Sequence, residues 1–177
     1  MAKVVLVSVL GPDRVGLISA VAGTLYDAGV NLRDTTFAAL GSGAEFTAVC
    51  EVPAHFSMDE TASRLRALPE LDGAEVDIRP FTFDPRHGPL GRVTHRIEVS
   101  GGDQLGLVAR LADIFTQFGA NIVRLDSQKL PGERGDYMAR FSVSIPADRQ
   151  ESCLAAVANT AGSLRLDCQV DEVGPEG

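Results

Sequence analysis

Two periods of apolar residues alternate along this chain, and the same succession occurs twice. Lys3 to Leu10 is a β-branched run stopped by Gly11-Pro12, the pattern of a strand that runs into a turn. Val15, Ile18, Val21, Ala22 and Leu25 then recur at helical spacing as far as Gly29, which is placed to be the left-handed residue past a helix end. Asp13 stands where a side chain caps a helix by accepting from backbone N–H groups two or three residues on. A second strand starts at Asn31-Leu32 and turns at GSG, 41–43. A third follows in which Phe46, Ala48, Cys50 and Val52 alternate with Thr47, Val49 and Glu51. Period two with one polar face predicts an antiparallel sheet covered on one side. Pro53 closes that strand, Ser57 to Leu68 reads as a second helix and Ala74 to Pro80 as a last strand.

Ninety residues on, the same plan returns. Gly11 to Leu32 aligns without a gap on Gly101 to Ile122, with Gly11/Gly101, Asp13/Asp103, Gly16/Gly106, Leu17/Leu107, Ala22/Ala112, Gly29/Gly119 and Asn31/Asn121 identical. Asp103, Leu105, Val108, Leu111, Ala112, Phe115 and Gly119 repeat the helical pattern, and a strand from Asn121-Ile122 leads into a loop, LPGERG, at 130–135. Ala139, Phe141, Val143 and Ile145 alternate with Arg140, Ser142 and Ser144 up to Pro146. A helix over Asp148 to Thr160 and a strand over Ser163 to Val170 complete the copy. Each copy is βαββαβ, the split-βαβ or ferredoxin-like order, in which two helices cover one face of a four-stranded antiparallel sheet. The fold class is therefore α+β, two tandem domains at residues 1–81 and 93–174, joined by a Pro- and Gly-bearing linker over 82–92. Two copies of this period are too few for a solenoid. Each copy of about 80 residues has little stability to spare, so mutual docking of the two is expected.

One asymmetry concerns the uncovered sheet faces. The first copy turns Val4, Leu6 and Ser8 outward, whereas the second turns out Arg96 and Glu98. The greasier first face is expected to be an interface, with the linker, the other domain or a second chain.

Composition narrows the function. Of 177 residues 45% are hydrophobic and 23% charged, and no apolar run approaches the roughly 20 residues of a membrane span. The amino-terminal apolar run reads as a first strand rather than a signal peptide. Three cysteines without close spacing suit a reducing compartment, so a cytoplasmic location is expected. The net charge of −8 is shared by both halves, with seven basic against twelve acidic residues over 1–90 and nine against twelve over 91–177. Without a basic run to neutralise phosphates, direct nucleic-acid binding is disfavoured. His55, His87 and His95 have no metal-ligand spacing, and Cys50, Cys153 and Cys168 have no evident His partner. Catalytic residues, metals and cofactors are accordingly expected to be none.

The two strand-to-helix turns carry the most distinctive local sequence. A helix start offers unpaired N–H groups and about half a positive charge, which suits a carboxylate. Asn31 and Asn121 could add amide donors and acceptors. A free amino acid fits this chemistry. The plainer reading also stands: the glycines make turns, the aspartates cap, and the asparagines occupy turn conformations they tolerate.

GPDRVGL…DAGVNL, and in weaker form GGDQLGL…QFGANI, resemble the turn and helix end of the ACT domain, a small ligand-sensing module with the βαββαβ fold. Over nearly the whole chain the arrangement is most similar to the tandem ACT proteins of the glycine cleavage system transcriptional repressor group. The resemblance implies an amino acid bound where ACT units meet. By position it points to Gly11, Pro12, Asp13, Arg14, Val15, Gly16, Leu17 and Asn31, and to Gly102, Asp103, Gln104, Leu105, Gly106, Leu107 and Asn121. The first turn is the favoured one, because the second has Gln104 in place of the arginine. It further implies a non-catalytic regulator of amino-acid, namely glycine, metabolism. Such a regulator forms homo-oligomers and acts through a protein partner such as a DNA-binding activator. The alternative is an ACT adaptor, or the detached regulatory subunit of a metabolic enzyme.

Overall fold

The computed structural model describes residues 3–131 and 136–174, so the predicted loop at 130–135 lies, from Gly132 to Gly135, outside the described residues. The chain divides into two compact units, Met1–Pro85 and Arg86–Gly177.

In the first unit β1 (Lys3–Pro12) leads to α1 (Leu17–Asp27), β2 (Asn31–Leu40), β3 (Gly43–Val52), α2 (Met58–Arg66) and β4 (Glu75–Pro80). The second unit runs β5 (His95–Gly102), α3 (Leu107–Gln117), β6 (Asn121–Lys129), β7 (Asp136–Ser144), α4 (Gln150–Ser163) and β8 (Asp167–Glu172). Both sheets are antiparallel, in the orders β2-β3-β1-β4 and β6-β7-β5-β8. The fold is a tandem of ferredoxin-like units.

Strand alternation sets the cores. Val5, Val7 and Val9 of β1 and Phe46, Ala48 and Cys50 of β3 are buried against Leu17, Val21 and Leu25 of α1 and Leu65 of α2. In the second unit Ile97, Val99, Ala139, Phe141 and Val143 meet Leu111, Phe115 and Val157. α2 opens with Ser57 accepting from the Glu60 N–H at 3.2 Å, as the S-x-x-E pattern requires.

α1 and α3 end alike. Gly29 and Gly119 take φ of 73° and 65°. The Gly29 N–H donates to Tyr26 O at 2.8 Å and that of Val30 to Leu25 O at 3.0 Å, so the last carbonyls are satisfied by a left-handed glycine.

The helix starts depart from expectation. Neither Asp13 nor Asp103 caps, because α1 and α3 begin only at Leu17 and Leu107, behind left-handed Gly16 and Gly106. The delay shifts the helical phase. Val15, expected in the core, is 102% exposed and its counterpart Leu105 is 99% exposed, while Ile18 is also largely outside and Leu17 and Leu107 are buried instead.

The last strand of the second unit also starts later than expected, since α4 continues through Ser163 and β8 begins at Asp167. Arg165 there takes φ of 58°, and the Leu166 N–H donates to Ala161 O at 2.9 Å. This is the glycine-type helix stop made without a glycine.

The uncovered faces differ as their sequences do. Val4, Leu6 and Val49 are neighbours on the open side of the first sheet and are half-buried. On the second, the Arg140 Nε donates to Glu98 Oε2 at 2.6 Å, with Arg96 alongside.

Candidate functional site

The first turn is held from three sides. Gly11, still paired with Ala44, lies so close to the start of β4 that an added Cβ would fall 2.5 Å from the Ala74 Cβ and 2.9 Å from its Cα. The close approach these glycines permit is thus to the neighbouring chain segment; in the second unit a Cβ on Gly101 would meet Leu166 Cδ2 at 2.6 Å. The Asp13 N–H donates to Ser42 O at 3.0 Å, fixing the turn to the β2–β3 connection. The Arg14 guanidinium donates to Pro69 O at 2.8 Å and lies 3.8 Å from the Asp72 carboxylate. Its partners are the first residue of a 3-10 turn, Pro69–Leu71, and the residue just past that turn, so Arg14 braces two loops together.

Gly16 at φ 93° then directs the chain into α1. The amide groups of Ile18 and Ser19, in the first turn of that helix, have no intrahelical acceptor. The first turn holds no acidic residue to offset the positive end of the helix dipole. Ile18 and Ser19 line a cavity of about 460 Å³ together with Asp13, Arg14, Val15, Gly16, Leu17 and Phe37. Asp13 forms no ion pair among the described residues. Carboxylate, helix amides and an apolar wall of Val15, Ile18 and Phe37 therefore share one concave surface.

Of the wall residues, Val15 is among those the resemblance points to, while Ile18 and Phe37 were missed by sequence reasoning. Phe37 faces the helices because it pairs with core-facing Phe46 across β2–β3, a parity that the bulge between Leu32 and Thr35 conceals. Ile18 and Ser19 were hidden by the late helix start.

The second turn has the same backbone and different side chains. Gly106 at φ 79° repeats Gly16, Leu107 is buried as Leu17 is, and nothing lies within 4 Å of a Cβ built on Gly102. Gln104 replaces the bracing arginine. Asp103 is taken up by Lys129, whose Nζ lies 2.8 Å from its Oδ2, and this hydrogen bond with its coulombic attraction pushes the lysine pKa up.

Neither asparagine stands beside its own turn. Asn31 pairs with Glu51, which pairs with Val4 at the beginning of β1. Eight residues separate Val4 from Pro12, so Asn31 lies about 26 Å from the first turn at roughly 3.3 Å per residue. Asn121, at the matching end of the second sheet, donates its amide to Leu90 O at 2.8 Å and pins the segment leading into the second unit.

His95 is 3% exposed, with Nδ1 2.9 Å from Thr94 Oγ1, and that oxygen accepts from the Ile145 N–H at 2.9 Å. Burial pushes the Cys50 thiol up to about 11 and raises Cys153 and Cys168 as well, the opposite of what activates a nucleophile. Among the described residues no group of three or more His, Cys, Asp or Glu is arranged to hold a metal ion, and no helix is long and apolar enough to cross a membrane.

Residues 5–70 match the family model of the ACT domain. The glycine cleavage system transcriptional repressor of Escherichia coli (strain K12) is 26% identical over 154 residues, which span 85% of this chain and 77% of that protein; the Shigella flexneri protein of the same name matches equally. A crystal structure of an unknown protein from Galdieria sulphuraria superposes with a TM-score of 0.75 at 21% identity, covering 98% of this chain and 100% of the other. A second, provisionally named a glycine cleavage system transcriptional repressor, gives 0.63 at 16% identity and 98% coverage of each chain. Both share the tandem fold.

Proposed function

We propose that this tandem ACT-type chain is a non-catalytic regulatory protein that senses a free amino acid at its first turn and passes the signal to a protein partner. The cavity at the head of α1 carries the reading, because it offers complements to both ends of a zwitterion. The amides of Ile18 and Ser19 receive the ligand carboxylate, and the Asp13 carboxylate receives its ammonium. Gly11 and Pro12 support the turn from β1, and Arg14 holds it open by bracing the opposite loop. Asn31 is too far to touch a ligand in its own unit and joins the site only from a second chain, which makes the sensing form a homo-oligomer.

The named relatives regulate transcription of a glycine-degrading system, and this supports glycine metabolism as the setting. The acidic charge, −8 in all, directs such a regulator toward a DNA-binding activator rather than toward DNA. A ligand as small as glycine, limited to about 1.5 kcal/mol per non-hydrogen atom, binds no tighter than roughly micromolar, which matches a metabolite pool. Binding that differs between two packings of the units shifts which surface the partner meets.

A thermal-shift screen of the twenty amino acids tests this. At least one raises the melting temperature of the wild type, and Asp13→Asn abolishes that rise while leaving the ligand-free melt within about a degree. An equal rise in Asp13→Asn removes Asp13 from the site, and no rise with any amino acid removes the reading in favour of an adaptor.

A further inference from the structure

We infer that Lys129 occupies the second turn from within, standing in for the ammonium of a ligand, so that each chain takes up one amino acid, in its first unit, and none in its second. The inference rests on the amino-acid reading of the first turn and adds the regulation of its duplicate.

Sheet register fixes the correspondence. In the first unit Gly11 pairs with Ala44, and Ala44 with Ala39 of the edge strand β2. In the second Gly101 pairs with Tyr137, and Tyr137 with Lys129 of β6. Lys129 therefore stands at the position of Ala39, two residues past the counterpart of Phe37, which is Ser127. From there its Nζ reaches Asp103 at 2.8 Å, whereas Ala39 at the corresponding position of the first unit has no charge to offer Asp13.

The chemistry of the substitution is direct. A lysine head is a primary alkylammonium with three N–H donors, the same group that a free amino acid presents. Because sheet register holds it beside its acceptor, its effective concentration is in the millimolar range or above. A ligand ammonium reaches Asp103 only by displacing the lysine from it. Exchange of Phe37 for Ser127 also withdraws the apolar wall. The duplicate keeps the backbone of a ligand turn and runs without a ligand.

The test moves the lysine into the first unit. Ala39 is exposed, so Ala39→Lys and the uncharged control Ala39→Met both leave the core untouched. Calorimetric titration uses glycine and leucine as probes on the full chain. Wild type is expected to bind one equivalent per chain of at least one probe; Ala39→Lys weakens it tenfold or more, and Ala39→Met stays within threefold. Two equivalents per wild-type chain, or Ala39→Lys binding as wild type does, overturns the inference while the amino-acid reading stands. Equal weakening in both variants shows that bulk and not charge closes the turn, and overturns it too. Wild type that binds neither these probes nor any amino acid ends the reading and the inference together.

Discussion

The first unit ties Arg14 to the Pro69 carbonyl and leaves Asp13 without an ion pair among the described residues; the second has Gln104 there and spends Asp103 on Lys129. Around these differences the backbones agree: glycines of positive φ at 16 and 106 and again at 29 and 119, buried leucines at 17 and 107, fully exposed aliphatics at 15 and 105. Positions identical in the two copies shape the turn, and positions that differ decide its chemistry. The open sheet faces divide in the same way, apolar around Leu6 in one and charged around Glu98 and Arg140 in the other.

The largest effect that separates the units is alkaline. Cys50 stands in β3 where the second unit has Val143 in β7, and burial lifts its pKa from 9.0 to about 11. A pKa raised in the folded state gives stability that is fully present below pH 9 and lost as pH climbs through about 11, here on the order of 2–3 kcal/mol. Urea unfolding at pH 8 and at pH 10.5 is expected to show most of this loss in wild type and a smaller one in Cys50→Ala. The thiols of Cys153 and Cys168 shift in the same direction and supply the remainder.

Next in size is the crowding under the first turn. Gly11→Ala forces a Cβ to within 2.9 Å of the Ala74 backbone and costs about 1–3 kcal/mol. Gly102→Ala, whose Cβ meets nothing, stays within about 0.5 kcal/mol. Equal losses in the two would mean that the turns are not packed as described. Smaller still is the brace: Arg14→Ala removes a hydrogen bond worth about 1 kcal/mol, and Gln104→Ala is close to neutral, both read from denaturant midpoints.

The order of elements and the two cores were legible because period two and period 3.6 alternate cleanly and because each α-helix opening a repeat ends at a glycine. The site was legible only in part. The turn residues stood out by duplication, yet Asp13 read as a cap, since nothing in GPDRVG announces that Gly16 is left-handed and delays the helix by a turn. Arg165 ends α4 in a conformation that sequence assigns to glycine, so the start of β8 was placed too early. Lys129 and Phe37 are distant in sequence from the turns they flank, and only sheet register brings them there. Asn31 shows the converse: it follows α1 closely in sequence, but the helix carries the chain to the far end of the sheet.

The central claim is that the amides at the head of α1 hold the carboxylate of an amino acid. Backbone amide NMR during titration with glycine or leucine reads those groups directly. The account predicts saturable shifts at Ile18 and Ser19 with little change at their counterparts Val108 and Ala109. Equal shifts at both pairs, or shifts confined to other parts of the chain, would contradict it.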